Sequence, residues 1–190
     1  MKNPVIILML LLISGCSVVV SKQPIGLKDH KIEVEAWAGQ WMSEGTASSL
    51  RVLNADNGLV QLAWVEWKKD KPVLETMTCR ILEGRKWLYA NVLEITGEEG
   101  VDGYYYWARI KKDKNQIVIW PPLPAAFQAA AEESKIKAIL EDRKKSADGK
   151  TRAETIKLTD APANIVDLVE GAGATYFDWE NPIVLIRLSR

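Results

Sequence analysis

Between residues 48 and 120 the chain is a succession of short β-branched and aromatic runs, each closed by turn residues. This punctuation predicts antiparallel sheet. The run 48–53 leads into Asn54-Ala55-Asp56-Asn57-Gly58, whose Asn-Gly supplies the positive φ angles that a tight hairpin requires. The run 59–67 turns through 68–72 into 73–82, and Glu83-Gly84 closes that run. The run 87–95 ends in a loop over 97–103, and 104–111 turns through Lys112-Asp113-Lys114-Asn115 into 116–120, closed by Pro121-Pro122.

After Pro124 the pattern changes. Residues 127–145 are rich in Ala, Glu and Lys, with Phe127, Ala131, Ile136, Ile139 and Leu140 near a helical period. Glu133–Lys137 and Glu141–Lys145 have the spacing of supporting i,i+4 pairs. A strand follows over 151–158. A second helix is expected with Asp160 as its cap, Ile165, Leu168 and Val169 as its apolar stripe, and Gly171 at its C-terminal end. A last strand covers 183–188. Consecutive strands with helices inserted late predict an α+β domain, mainly antiparallel β. The sheet is either a barrel or strongly curved, with two or three helices packed on it. No linker divides residues 31–190, which read as one domain.

The aromatic load is high, with eight Trp and five Tyr in 190 residues. In the run 104–109, Tyr104, Tyr106 and Ala108 share one face and Tyr105, Trp107 and Arg109 the other, so both faces carry aromatics. Either both faces are covered, or one lines a cavity or a partner surface. Trp64, Trp87, Tyr89, Tyr104 and Tyr106 are the candidate lining of an apolar ligand pocket.

Catalytic chemistry has little to work with. The single histidine, His30, stands at the edge of a segment without periodicity, between Asp29 and Lys31. One histidine and one cysteine within the domain assemble neither a nucleophile–base pair nor a metal ligand set. No cofactor motif appears, and no catalytic or metal site is expected. Cys79 alternates with Met77 and Ile81 and reads as a buried, inert thiol. Of the carboxylates that could act as a pair, Glu66, Glu75 and Glu94 fall where alternation turns polar residues toward water. Lysine pairs at 68–69 and 111–112 read as hairpin tips. With 25 basic and 25 acidic residues, the chain has no electrostatic footprint for nucleic acid.

The first residues carry a pattern of their own. Lys2 precedes an apolar run over 5–13, and Leu12-Ile13-Ser14-Gly15-Cys16 follows it. This resembles the signal peptide and lipobox of bacterial lipoproteins. The resemblance implies cleavage between Gly15 and Cys16, removal of residues 1–15, and acylation of Cys16 by palmitate-type chains. The mature chain loses Lys2 and no acidic residue, for a net charge of −1. It would be anchored in the cell envelope, and Ser17 after the cysteine favours the outer membrane, facing the periplasm, in a Gram-negative host. Residues 16–30 are then expected to be the acylated start and a tether, although Val18-Val19-Val20 could instead join the domain as a strand.

Gly39-Gln40-Trp41 opens the strand region and is similar to the Gly-x-Trp with which lipocalins begin their barrel. In that family an arginine near the last strand stacks on the tryptophan, and Arg187 is the matching residue, so Trp41 and Arg187 form a candidate barrel-closing pair. Eight runs could form such a barrel: 48–53, 59–67, 73–82, 87–95, 104–111, 116–120, 151–158 and 183–188. The resemblance implies a non-catalytic binder of a hydrophobic or amphiphilic small molecule. An accessory subunit docking on another envelope protein through exposed aromatics is the alternative.

Overall fold

The computed structural model describes residues 17–96, 103–145, 151–171 and 174–188. The lipobox, the loop over 97–102 and the region 146–150 lie outside the described residues. Fourteen strands are described: β1 (Val18–Ser21), β2 (Lys28–Asp29), β3 (Gly39–Ser43), β4 (Thr46–Asn54), β5 (Leu59–Lys68), β6 (Lys71–Glu83), β7 (Leu88–Ile95), β8 (Tyr105–Asp113), β9 (Gln116–Trp120), β10 (Ala138–Glu141), β11 (Lys144–Lys145), β12 (Thr151–Arg152), β13 (Thr155–Leu158) and β14 (Ile183–Arg187). Three helices accompany them: α1 (Val34–Trp37), α2 (Pro124–Glu132) and α3 (Pro162–Gly171).

Strands β3 to β9 form an antiparallel meander, and β14 pairs with β9 on one side and β3 on the other, which closes an eight-stranded barrel. The fold is thus a lipocalin-like barrel rather than an open curved sheet. Closure removes the free edges that an open sheet of this length would expose.

Tight turns hold the register. Glu44 and Gly45 (β3–β4), and Lys69 and Asp70 (β5–β6), all have positive φ, the geometry of two-residue hairpins that match strand twist. Gly58, at the β4–β5 turn, combines φ +72° with a Cβ position only 2.3 Å from the Ile81 carbonyl oxygen, so no side chain fits there.

The barrel wall separates two cores. The inner core holds Trp37, Trp41, Leu50, Val60, Leu62, Cys79, Ile81, Ile110, Ile117 and Leu185. The outer core lies between the β7–β8 wall and a second layer of α2, α3, β1, β10 and β13. It contains Tyr89, Trp107, Phe127, Ile156, Leu158, Val166, Val169 and Phe177. Trp107 packs edge-on to both Phe127 and Phe177, with ring centroids 5.7 and 5.9 Å away. Aromatics on both faces of β8 therefore serve two cores.

Four expectations are corrected. The segment 18–29 is no tether: β1 pairs in parallel with β13 and antiparallel with β8, Ile25 is fully buried, and β2 extends along β6. The run 151–158 is not part of the barrel wall. Its strand β13 lies in the outer layer between β1 and β10, and the eighth wall strand is β3. The helix expected over 127–145 stops at Glu132. Beyond it Ile136, Ala138 and Leu140 turn into the outer core, where pairing with β13 outweighs the helical propensity of the Ala, Glu and Lys around them. The expected i,i+4 pairs give way to Glu133–Lys135 and Glu141–Lys157. Finally, Lys112 is no tip residue but sits in β8 on the inner face, half-buried.

Candidate ligand-binding lumen

One end of the barrel is sealed by α1 and two side chains. Short helices leave their last carbonyls unpaired. Here Arg187 donates from Nη2 to the Glu35 and Ala38 carbonyls (both 2.7 Å) and from Nη1 to that of Ala36 (3.3 Å). Trp41 Nε1 donates to the Trp37 carbonyl at 3.0 Å. Together, two side chains satisfy four consecutive carbonyls. Trp41 and Arg187 are directly opposite one another on β3 and β14, and the guanidinium lies 5.8 Å from the indole centre. Lys112 Nζ approaches the same ring at 5.4 Å, and desolvation with the nearby Arg187 charge pushes the Lys112 pKa down. Gly39 completes the plug. Its φ is +143° and a Cβ would meet Arg187 Nη2 at 3.4 Å.

His30 belongs to this closure. Its Nδ1 lies 2.8 Å from Glu83 Oε1 and its ring 6.0 Å from that of Trp37. Lys28, then His30, hold the Glu83 carboxyl below the usual carboxylate range.

Away from the plug the inner face stays apolar but becomes less sealed. Inward-pointing Trp64, Met77, Val92 and Ile119 pack on the inner core and keep partial solvent contact. Cys79, in the middle of this wall, is buried, and desolvation pushes its thiol up to about 12, so it stays protonated.

The far end is polar. From Ser48, which stands opposite Trp41 and donates to its carbonyl, the cross-strand neighbours Trp64 and Glu75 lead over β5 and β6 toward that end. Glu75 is only 4 % exposed. Lys68 Nζ lies 2.8 Å from Glu75 and 3.5 Å from Glu66, and these contacts raise the Lys68 pKa, the Glu75 hydrogen bond most. The expectation that Glu66 and Glu75 face water is therefore wrong: both turn toward the lysine. Sharing one lysine makes them ion-pair acceptors, not a separated acid and base. Ser43 Oγ, on the same strand face as Trp41, is buried without a hydrogen-bond partner among the described residues.

The five candidate pocket residues do not line one cavity. Trp64 is on the lumen side, and Tyr106 shares the inward register of Ala108 and Ile110. Tyr89 is fully buried in the outer core, where its hydroxyl donates to Glu170 Oε1 at 2.9 Å. Trp87 packs against Phe177 and Trp179, and Lys157 lies over Tyr104. Alternation separates the two faces of each strand but does not say which face is the lumen. A depression of about 340 Å³ lined by Asp113, Lys114, Asn115, Gln116 and Ile186 opens at the β8–β9 turn. It lies at the plugged end, outside the lumen.

No family model, curated protein or solved structure matches this chain. Its reading therefore rests on its own geometry.

The outer core holds a second unusual arrangement. Arg109 lies between its cross-strand neighbours Tyr89 and Trp120. Its guanidinium carbon is 4.3 Å from the ring centre of Trp87 and 4.4 Å from those of Trp120 and Trp179. Desolvation lowers its pKa. Its Nε and Nη1 are buried without a hydrogen-bond partner among the described residues, so stacking on three indoles is the contact that compensates their burial.

Proposed function

We propose that this protein is a lipid-anchored, non-catalytic envelope protein whose barrel lumen binds a hydrophobic or amphiphilic small molecule. The observation that carries this reading is the asymmetry of the barrel. One end is plugged by Trp37, Trp41 and Arg187, while inward apolar side chains toward the other end retain solvent contact. An apolar tube closed at one end and fringed with polar groups at the other suits a molecule with an apolar body and a polar head. Trp64, Met77 and Tyr106 would contact the body, and Glu75 and Lys68 the head.

The docking-subunit alternative requires exposed aromatics. Of the eight Trp, only Trp67 is exposed; the others are buried or half-buried. That distribution favours the carrier. The anchor rests on the lipobox, with Cys16 as the acylated residue and the outer membrane, facing the periplasm, as the location in a Gram-negative host.

Native mass spectrometry of the chain from Ser17 tests the carrier reading directly. Extra mass that organic extraction removes is the expected result. An unliganded mass that also does not change on incubation with fatty acids, lysophospholipids or apolar dyes would refute it. For the anchor, Cys16→Ser should abolish metabolic labelling by palmitate and move the protein out of the membrane fraction. Retained labelling would place the acyl chains elsewhere.

A further inference from the structure

We propose that Arg109 and the three indoles around it form a second binding site, on the outside of the barrel wall, for a small molecule that carries a planar carboxylate. Side chains alternate along β8, so Arg109 faces away from the lumen, on the side of Trp107 and opposite to Ala108 and Ile110. Trp87, Trp120 and Trp179 wall its guanidinium, and all four residues are half-buried. Backbone links fix this wall. The Asp178 N–H donates to the Pro121 carbonyl at 3.0 Å, and the Leu123 N–H to the Tyr176 carbonyl at 2.8 Å. They hold the segment that carries Trp179 against the one that carries Trp120, and the two ring centroids are 5.1 Å apart.

Stacking answers the charge of the guanidinium but not its directional donors. A guanidinium donates in its own plane, and an indole face is a weak acceptor compared with an oxygen. Nε and Nη1 are sealed from solvent with no acceptor among the described residues. Glu170 is the carboxylate whose charge reaches Arg109, yet its oxygens accept from the Tyr89 hydroxyl and from the Arg85 and Lys86 N–H groups instead. An apolar residue at 109 would fill the same setting without burying a charge or stranding its donors, so stability does not explain an arginine there. A ligand that supplies the missing acceptor does.

The geometry also selects the kind of acceptor. Nη2 is not among the sealed atoms. It belongs to both donor pairs with which a guanidinium grips two oxygens at once, Nε with Nη2 and Nη1 with Nη2. A carboxylate that reaches Nη2 in the guanidinium plane therefore serves one of the sealed donors as well. With three ring centres within 4.4 Å of the guanidinium carbon, the approach is narrow and suits a flat carboxylate better than a tetrahedral phosphate.

All described elements lie at or beyond Ser17, so the chain from that residue serves for the test. Isotopic labelling of the indole nitrogens gives each tryptophan its own NMR signal, and single Trp→Phe variants assign those of Trp87, Trp120 and Trp179. Sodium benzoate should shift these three signals along a saturable curve, and sodium phosphate at equal ionic strength should not. Arg109→Met should raise the Kd for benzoate at least about tenfold and leave the urea midpoint unchanged or higher, since it removes buried donors and keeps an apolar filler. Arg109→Lys keeps the charge but loses the fork, and should also bind more weakly than the wild type. Absence of a saturable shift, equal affinity in Arg109→Met, or an equal response to phosphate overturns the proposal. A markedly lower midpoint in Arg109→Met overturns it too, because the arginine would then be a structural element. So does a shift confined to the Trp64 signal, which would put benzoate in the lumen and support the carrier reading instead.

Discussion

Trp41→Ala is expected to cost about 3–5 kcal/mol of stability, the range for emptying a fully buried large aromatic site. In a domain of this size that lowers the melting temperature by roughly 10 °C. Trp41 has no exposed surface and sits where α1, β3 and β14 meet, so no neighbour is free to fill the space. The loss has two parts, and a second variant separates them. Trp41→Phe keeps most of the apolar volume but leaves the Trp37 carbonyl without its donor, and should cost about 1–2 kcal/mol. Arg187→Met removes the donors to Glu35, Ala36 and Ala38 and should cost a comparable amount, reduced because Glu35 is exposed and water can reach its carbonyl. Both substitutions loosen the same helix, so the double variant should cost less than the sum of the singles. Urea unfolding of the four proteins reads all of this. A Trp41→Ala cost below about 1 kcal/mol would mean that the plug does not hold the barrel end.

The plug also shows why parts of this fold were legible in sequence and others were not. Seven of the eight wall strands were readable because alternation and turn chemistry are local. Asn57-Gly58 both ends a strand and supplies a positive φ angle, and the runs around it have strand composition. Strand β3 escaped because it is five residues long, squeezed between a one-turn helix and the Glu44-Gly45 turn. Its Gly-Gln-Trp motif was the stronger signal, and the pairing of Trp41 with Arg187 could be anticipated only through family resemblance. Thr155–Leu158 has the same composition as a wall strand. Its place in the outer layer depends on parallel pairing with Val18–Ser21, a contact between distant segments that no local pattern encodes. The helical composition of 133–145 misled for the same reason, since Leu140 is committed to Ile156 by tertiary pairing. In the lumen, alternation put Trp64 on a face without saying that the face was inward. Strand alternation sends Glu75 to water, where charged residues usually go, and only Lys68 explains its burial.

Glu170→Ala is the second large expected effect, about 3 kcal/mol, and it tests how the outer layer is fixed to the barrel. Glu170 comes from α3 and is buried. Its Oε1 accepts the Tyr89 hydroxyl at 2.9 Å and the Arg85 N–H at 3.2 Å, and its Oε2 accepts the Lys86 N–H at 2.8 Å. One carboxylate thus ties α3 to the β6–β7 turn and to the barrel wall. A Cβ at Gly84 would lie 2.2 Å from Oε1 and 2.7 Å from Tyr89 Cε2, which shows how closely the turn is drawn onto it. Burial, then the facing carboxylate, keeps Tyr89 protonated and donating. Alanine at 170 leaves the buried Tyr89 phenol without an acceptor, an uncompensated desolvation cost, and removes the acceptor of two backbone donors at the exposed Arg85 and Lys86, which water can partly replace. Glu170→Gln should fall between wild type and alanine, because one amide oxygen can still serve Tyr89 and Arg85 while the amide nitrogen faces the Lys86 donor. The deciding comparison is Tyr89→Phe made in the Glu170→Leu background. Removing both buried polar partners should recover about 1 kcal/mol relative to Glu170→Leu alone, whereas Tyr89→Phe in the wild type should destabilise. If the phenylalanine change costs the same in both backgrounds, the phenol and the carboxylate are not coupled, and their hydrogen bond does not help to fix the outer layer to the barrel.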